Sequence, residues 1–491
     1  QPPADDIGCE GGPVRAAAPP PMRHPAQTFP RRWAFVLVTG LALYFVPLPG
    51  FSGLQQHLFA IFAATIVALI ARPVPMGVSV MIAATLLLLT RTLPPEKVLA
   101  GFGNTTVWLM FSAFLFARAI TTTGLGVRIA YLFISRFGHT SLTLGYAVAA
   151  SDLVLAPVVP SDTARGGGIM APIVRSLAVA LDSQPGPTAN RIGAYLTLVG
   201  FHCTYAASAM FLTGMAANPL IASFAQSIAH VDMTWGRWAL AASVPGLCTF
   251  AILPWLLHEL SPPDLRDTEH ARAHARSKLR HLGPMSRHER ILVGIMLLVM
   301  AGWISAPWHG VSNTAVALAG VCVILLIGVV TWEELLGDKT AWDALVWFAL
   351  LLMMAEQLNE QGVIAVISKS VFSHVHGWPW PMTLAALGVA YLYAHYTFAS
   401  MTAHVSALYP GFLAAALAAG VPAPVAVWPL AFLSNLNAGI THYGTGSAPI
   451  YFGAGYVSQS NWWTIGFIVS VVNLAIWFGV GLIWWRVIGL W

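Results

Sequence analysis

The chain has 491 residues, of which 57% are hydrophobic and only 9% are charged. Soluble domains carry about 25% charged residues, so this composition excludes a soluble domain and indicates an integral membrane protein. The formal net charge of +5 arises partly in one loop and does not suggest a nucleic-acid partner. Cys203, Cys248 and Cys322 lie in apolar segments, which favours neither a disulfide framework nor a metal site, and we expect no cofactor.

The predicted membrane spans follow an N-terminal segment that is rich in proline and alanine. Residues 1–30 hold eight prolines and no apolar core of a secretory signal, which predicts a disordered Pro/Ala-rich tail. Two later regions, 141–181 and 381–419, are apolar but broken in the middle, so each is either two full spans or one re-entrant hairpin. Apolar runs long enough to cross a bilayer, about 17–25 residues, begin near Trp33, His57, Met76, Val107, Arg191, Trp235, Ile291, Asn313, Asp343, Pro424 and Trp463.

The long polar loop predicts the orientation. Residues 259–290 carry seven Lys and Arg residues, and positive charge marks the cytoplasmic side of a membrane. Counting the spans backwards places the N-terminus in the cytoplasm, together with Arg31 and Arg32. Counting forwards places the C-terminus outside.

The chain also repeats itself. Trp108 lies 53 residues before Ser161, and Trp347 lies 53 residues before Ser400. The segment "ITTTGLGVRIAYLFIS" corresponds to "LNEQGVIAVISKSVFS", "SDTAR" to "SMTAH", and "FLTGMAANPL" to "HYGTGSAPI". The predicted orientation makes the two halves an inverted repeat, which is typical of secondary transporters with a substrate site near the membrane midplane. Chance similarity between apolar helices is the alternative.

Helix starts within the breaks favour an anion site. Ser161 and Ser400 are good N-cap residues for the limbs that follow them. Asn218 followed by Pro219 predicts a third helix start, with Asn218 as its N-cap, and residues 447–449 offer a fourth. Each helix N-terminus carries about half a positive charge and free backbone N–H groups. Four such ends aimed at one region would attract carboxylates.

Four segments carry a resemblance to a known family. They are "SDTARGGGIMAPIVRSLA", "FASMTAHVSALYPGFLAA", "MFLTGMAANPLIASFA" and "GITHYGTGSAPIYFGAGYVSQSNWW". With them the chain, from about residue 33 to its end, resembles the divalent anion:sodium symporter family. It is most similar to the exchanger branch, which includes citrate/succinate and tartrate/succinate antiporters and the plastid 2-oxoglutarate/malate translocator.

The resemblance implies an all-α polytopic membrane protein. It implies about eleven transmembrane helices, two re-entrant hairpins, a homodimer, and separate scaffold and transport domains that move as an elevator. For localisation we expect the lipid bilayer of the bacterial inner membrane. The expected organisation is a tail (1–30), scaffold helices (31–106), a first repeat (107–258) with hairpin 141–181, a cytoplasmic loop (259–290), further scaffold helices (291–341) and a second repeat (342–491) with hairpin 381–419.

The resemblance also implies the site. In that family each hairpin tip carries Ser-Asn-Thr, whose side chains hold substrate carboxylates and help to form sodium sites. Both central Asn residues are replaced here, by Asp162 and Met401. The candidate substrate-binding residues are Ser161, Asp162, Thr163, Ser400, Met401, Thr402, Thr213, Gly214, Asn218, Pro219, Thr445, Gly446 and Pro449.

Two further residues take equivalent positions beyond the tips. Arg165 and His404 follow their tip Ser residues by four positions, and we expect them to act as fixed cations in place of sodium. The alternatives are a structural pair with Asp162 or a snorkelling position for Arg165, and an ordinary core histidine for His404. Arg118 and Glu356 stand at similar depths in the two halves, which predicts a salt bridge between the repeats.

These observations predict a secondary transporter that exchanges di- or tricarboxylates without sodium. The candidate substrates are succinate, malate, 2-oxoglutarate, citrate and tartrate. Sodium-coupled dicarboxylate symport is the alternative. An enzyme is disfavoured because HExxH and GxSxG motifs are absent from the sequence, and a channel would need a continuous polar pore.

Overall fold

The computed structural model of the chain describes residues 29–366 and 378–491. In these ranges the regular secondary structure is helical, apart from an isolated bridge between Thr140 and Asp267. The first helix begins at Phe29. The disordered tail predicted for residues 1–30 therefore lies almost wholly outside the described residues.

Eight helical segments of the described chain are long and apolar enough to cross a membrane. The all-α membrane architecture that the family resemblance implies is confirmed at this level. The eight are Gly53–Ala71, Thr105–Thr123, Trp235–Leu260, Arg287–His309, Lys339–Glu360, Met401–Ala418, Ala423–Ile440 and Gln459–Val487. Shorter apolar helices are Arg32–Phe45, Met76–Leu89, Ser141–Leu155 and Asn313–Ile327.

Apart from Leu125–Phe137, whose aligned residues lie partly outside the described ranges, the two halves of the chain contain corresponding helices in the same order. The first half runs through Thr105–Thr123, Leu125–Phe137, Ser141–Leu155, Thr163–Met170, Ala171–Ala180, Gly193–Met210, Asn218–Ala229 and Trp235–Leu260. The second half runs through Lys339–Glu360, Trp380–Ala394, His395–Thr397, Met401–Ala418, Ala423–Leu436, Asn437–Ile440, Ala448–Gly453, Gln459–Leu474, Ala475–Val480 and Gly481–Val487.

A glycine bends each half at the same place. Gly124 and Gly362 have φ angles of 75° and 77°, in the left-handed region that a residue with a Cβ atom enters only at a cost. Each ends the first helix of its half and turns the chain into the next helix. These are the glycines that the sequence repeat aligns.

Both predicted hairpins are broken helices. The first hairpin, residues 141–180, leaves regular helix after Leu155 and resumes with the π-helical stretch Thr163–Met170. The second, residues 380–418, is interrupted between Thr397 and Met401. We call residues 161–163 and 400–402 the first and second tips.

Two further breaks complete the set. The chain leaves helix after Met210 and begins the next one at Asn218, and in the second half it does so between Ile440 and Ala448. We call residues 211–217 and 441–447 the first and second unwound segments.

The other helices surround these broken elements or connect the halves. Before the first repeat they are Phe29–Phe45, Gly53–Ala71, Met76–Leu89, Pro95–Leu99 and Ala100–Gly103. Between the repeats they are Glu269–Leu282, Arg287–His309, Asn313–Ile327 and Trp332–Leu336. The short helix Ala189–Arg191 follows the first hairpin.

The predicted polar loop contains the helix Glu269–Leu282, which contacts the membrane-embedded part. His274 Nε2 lies 2.9 Å from Ser176 Oγ on the first hairpin. Partial burial, and then the nearby Lys278, lower the pKa of His274 below its usual value, so this contact is made by a neutral ring at neutral pH. Glu289, which follows this helix in the chain, forms a buried ion pair with Arg128 at 2.6 Å.

Candidate substrate site

A cavity of about 480 Å³ lies where the two tips and the two unwound segments meet. We call it the central cavity. The first unwound segment contributes Met215 and Ala216 to its wall. Eight of the residues predicted from the sequence line it as well: Ser161, Asp162, Thr163, Ser400, Met401, Thr402, Thr445 and Gly446.

Helices outside the broken elements form the opposite wall, which sequence reasoning missed. Trp347 appeared in the sequence only as a repeat marker, and Asp343 only as the start of a span. Arg72 stands before a proline between two apolar runs. Because Lys and Arg are common in the cytoplasmic loops of membrane proteins, the sequence places Arg72 in a loop. The residues of this wall are Arg72, Met76, Phe114, Thr340, Asp343, Ala344 and Trp347.

The tip serines cap the returning limbs, as the sequence predicts. Ser161 Oγ accepts a hydrogen bond from the backbone N–H of Ala164 at 3.1 Å. Ser400 Oγ accepts one from Ala403 at 3.3 Å. Both hydroxyls thus satisfy free N–H groups at a helix start, and the positive ends of two helices point towards the cavity.

The tip threonines have free hydroxyl groups. Thr163 and Thr402 hold the same position in the two tips, and both line the cavity. Among the described residues neither hydroxyl has a hydrogen-bond partner. Gly446 permits the placement of Thr163, because a Cβ atom at Gly446 would overlap Thr163 Oγ1. Two unpaired hydroxyl donors on opposite tips suit a ligand with two acceptor groups.

Asp162 ties the first tip to the second unwound segment. Its carboxylate accepts hydrogen bonds from Thr445 Oγ1 and from Ser447 Oγ, the latter at 3.4 Å. The carboxylate therefore joins an element of the first half to one of the second half. In the same segment, Ser447 precedes the helix Ala448–Gly453 without capping it.

Arg165 lies beneath the first tip, fully buried and outside the cavity wall. Its Nε donates to Asp152 Oδ1 at 3.0 Å, and both side chains of this ion pair are buried. The other nitrogens donate to the carbonyls of Val159 (2.8 Å), Gly214 (3.1 Å) and Thr204 (2.9 Å), and to Ser208 Oγ (2.7 Å).

This arrangement differs from the pair of Arg165 with Asp162 that the sequence left open as an alternative. The role of Arg165 as a fixed cation in place of sodium stays a prediction. The guanidinium donors are used by the protein, so the geometry gives no support to a direct contact between Arg165 and a substrate carboxylate. The partner of Arg165 is Asp152, which stands nine residues before Ser161, and not Asp162. The short sequence distance suggested Asp162, whereas the break in the hairpin turns that carboxylate towards Thr445.

His404 also lies behind the cavity wall. It is fully buried, and its ring stands edge-on to Tyr391 and Phe398, with centroid distances of 4.5 and 5.2 Å. His395 is 5.0 Å away. Neither ring nitrogen of His404 has a hydrogen-bond partner within the described part of the chain. The structure thus shows an aromatic cage around His404 rather than an open cation at the cavity.

The other predicted residues hold the unwound segments in place. Thr213 Oγ1 donates to Pro157 O at 2.5 Å and accepts from Trp235 Nε1 at 3.0 Å. Asn218 is the first residue of its helix and not the predicted N-cap. Its amide donates to Ser208 O and Phe211 O, both at 2.9 Å. Residues outside the wall of the central cavity are Thr213, Gly214, Asn218, Pro219 and Pro449.

Each hairpin is fastened to the unwound segment of its own half. In the first half Arg165 donates to Gly214 O. In the second half His395 Nε2 lies 2.8 Å from Gly444 O. Each hairpin and its unwound segment are thus joined through a buried side chain.

The predicted salt bridge between Arg118 and Glu356 is wrong. Glu356 Oε1 accepts hydrogen bonds from Asn104 Nδ2 at 2.9 Å and Ser223 Oγ at 3.4 Å. Arg118 Nε is buried without a hydrogen-bond partner among the described residues. Equal depth along two helices does not ensure that the side chains face each other.

A family model described as the sodium:sulfate symporter transmembrane region matches residues 28–491. The chain belongs to this family. The resemblance to divalent anion:sodium symporters is therefore confirmed. The chain is an integral membrane protein, and a transporter rather than an enzyme.

Similar proteins cover nearly the whole chain. YflS of Bacillus subtilis, whose name refers to malate transport, is 46% identical over 459 residues, covering 93% of this chain and 96% of that protein. Dicarboxylate transporter 1, chloroplastic, of Arabidopsis thaliana is 44% identical, and the match covers 93% of this chain and 82% of that protein. The L-tartrate/succinate antiporter of Escherichia coli is 33% identical, and the match covers 93% of this chain and 98% of that protein.

A solved structure shares the fold. The YdaH transporter of Alcanivorax borkumensis aligns with a TM-score of 0.54 over 95% of this chain and 99% of that chain. The sequence identity is 14%, so this likeness concerns the fold alone.

Proposed function

We propose that the protein exchanges dicarboxylates across a membrane and binds them in the central cavity. The observation that carries this proposal is the pair of unpaired hydroxyls, Thr163 and Thr402, on capped helix starts at opposite sides of one cavity. A linear dicarboxylate has a carboxylate for each tip. The names of the similar proteins, which refer to malate, dicarboxylates, tartrate and succinate, support this substrate class.

The unpaired hydrogen-bond donors of the empty cavity favour exchange. Two positive helix ends and two free hydroxyl donors face each other there. A bound dicarboxylate accepts hydrogen bonds from these donors, whereas the empty site would carry them unpaired through surroundings of low dielectric constant. The loaded carrier therefore crosses more readily than the empty one, which favours obligatory exchange over net uptake.

Sodium is not required in this proposal. Met401 places a thioether where the family resemblance implies the amide oxygen of Asn, and a hard cation prefers oxygen ligands. The other replaced position, Asp162, has its carboxylate engaged by Thr445 and Ser447. Sodium-coupled symport remains the second candidate because the matching family model is named for it.

The proposed transport cycle moves the hairpins and unwound segments as one body. The bonds Arg165–Gly214 and His395–Gly444 join each hairpin to its own unwound segment, and the bond Thr445–Asp162 joins the two halves. It would slide as an elevator past helices such as Gly53–Ala71 and Lys339–Glu360, within a homodimer of about eleven spans per chain. We place the N-terminus in the cytoplasm and the protein in a bacterial inner membrane.

We expect succinate uptake into proteoliposomes to require internal dicarboxylate and to continue when sodium is replaced by choline. Liposomes loaded with succinate should take up labelled succinate, and empty liposomes should take up little. Protein-free liposomes are the control. Loss of most uptake in choline would support sodium-coupled symport instead. Equal uptake by empty and loaded liposomes would refute exchange.

A further inference from the structure

Arg72 lies in the wall of the central cavity, opposite the broken elements. Among the described residues that line this cavity, Arg72 is the only one that is a Lys or an Arg. Its side chain is exposed to the cavity, and no ion pair of the described residues includes it. The cavity therefore contains a guanidinium that no sequence motif indicated.

The backbone holds Arg72 in an unusual conformation. Arg72 ends the helix Gly53–Ala71 with φ 49° and ψ 54°, a left-handed position that usually carries Gly or Asn. Its N–H donates to Ala68 O at 2.8 Å, and its carbonyl accepts from Arg32 Nη1 at 3.1 Å. A side chain that bears this backbone cost is a candidate for a function.

The side chain reaches the second hairpin. Arg72 Nη2 donates to Ala399 O at 2.8 Å, immediately before the capping Ser400. This is its one side-chain hydrogen bond within the described ranges, and a guanidinium has five N–H groups. The remaining donors are free to bind a carboxylate in a bidentate manner.

We propose that Arg72 binds one carboxylate of the substrate, and that it does so on one side of the membrane only. This inference rests on the proposed function. Arg72 belongs to a helix outside the hairpins, whereas Thr163 and Thr402 belong to the moving body. When that body moves, the bond to Ala399 breaks and the guanidinium stays behind. The side concerned is the one at which Gly53–Ala71 ends, which the sequence predicts to be cytoplasmic.

The charges around the cavity are consistent with this assignment. Asp162 and Asp343 also line it, but Asp162 is bound by Thr445 and Ser447. The Asp343 carboxylate lies against Gly77, where a Cβ atom would overlap it. Arg72 bonds a neutral carbonyl instead, so its charge is available to an anionic ligand.

The test compares Arg72→Gln with Arg91→Gln in right-side-out and inverted membrane vesicles. Arg91 is a matched control because it is an exposed arginine with φ 54°, follows the next helix and lies outside the central cavity. We expect Arg72→Gln to raise the KM for succinate at least 10-fold from the cytoplasmic side, with little change from the other side. Vesicles without the protein give the background.

The outcomes distinguish a failure of the role of Arg72 from a failure of the proposed function. Equal KM changes on both sides, or none relative to Arg91→Gln, would overturn the role of Arg72. If Arg72→Gln fails to fold, Arg72→Lys decides, because it keeps the charge and should show a smaller change confined to the cytoplasmic side. Wild-type vesicles without succinate exchange would refute the proposed function itself rather than this inference.

Discussion

Arg165→Gln should lower the free energy of unfolding by about 3–5 kcal/mol and abolish transport. The substitution leaves Asp152 as an unpaired buried charge, and breaking one partner of a buried ion pair has a cost of this size. It also removes the donors to Gly214 O and Thr204 O. Thermal unfolding of the purified protein in detergent measures the stability, and succinate counterflow measures the transport.

Arg175→Gln is the control for this prediction. Arg175 lies on the same hairpin, is exposed and has no hydrogen-bond or ion-pair partner among the described residues, so its replacement should change stability little. The double variant Asp152→Asn with Arg165→Gln should recover only part of the stability, because the carbonyl oxygens remain unpaired. An Arg165→Gln protein as stable as Arg175→Gln, but with weakened succinate affinity, would return Arg165 to the cavity role expected from the sequence.

Thr163→Val and Thr402→Val should each weaken succinate binding roughly 10- to 100-fold. Valine keeps the shape of threonine and removes the hydroxyl, whose hydrogen bond to a charged group contributes about 1.5–3 kcal/mol. Neither hydroxyl supports the described protein structure, so folding should be unaffected. Isothermal titration calorimetry with purified protein and succinate measures the affinity.

The matched control is Thr397→Val, three residues before the second tip. The Thr397 hydroxyl donates to Ala394 O at 2.8 Å and lies outside the central cavity. Succinate affinity should therefore stay near the wild-type value. Unchanged affinity in both tip variants, with folded protein, would mean that the substrate binds elsewhere.

The tips could be predicted from the sequence because polar residues are rare in an apolar chain. Each interruption of a span by Ser and Thr is therefore informative, and the repeat aligns Ser161 with Ser400. The caps at both serines are confirmed. The repeat also aligns Gly124 with Gly362, and the structure shows that both glycines bend the chain. These features depend on local backbone chemistry, which the sequence determines directly.

The partner of Arg165 could not be predicted in the same way. Asp152 and Arg165 come together only because the chain reverses between them. Asp152 aligns with Tyr391, and Arg165 with His404. In the second half the Tyr391 and His404 rings pack edge-on at 4.5 Å. An ion pair in one half thus corresponds to an aromatic contact in the other. No regular pattern of residue types in the sequence predicts either contact.

Arg72 and Asp343 were missed for a different reason. Each stands near the end of a predicted span, where a charged residue is ordinary in a membrane protein. Only the packing of Gly53–Ala71 and Lys339–Glu360 beside the hairpin tips brings them to the cavity wall.

The structure of the protein in lipid nanodiscs with saturating succinate tests the central claim most directly. We predict density for one dicarboxylate in the central cavity, with a carboxylate within hydrogen-bonding distance of Thr163 Oγ1 and of Thr402 Oγ1. A structure without succinate under the same conditions should lack this density. Ligand density in another cavity, such as the one lined by Arg175 and His274, with the central cavity empty would contradict the account.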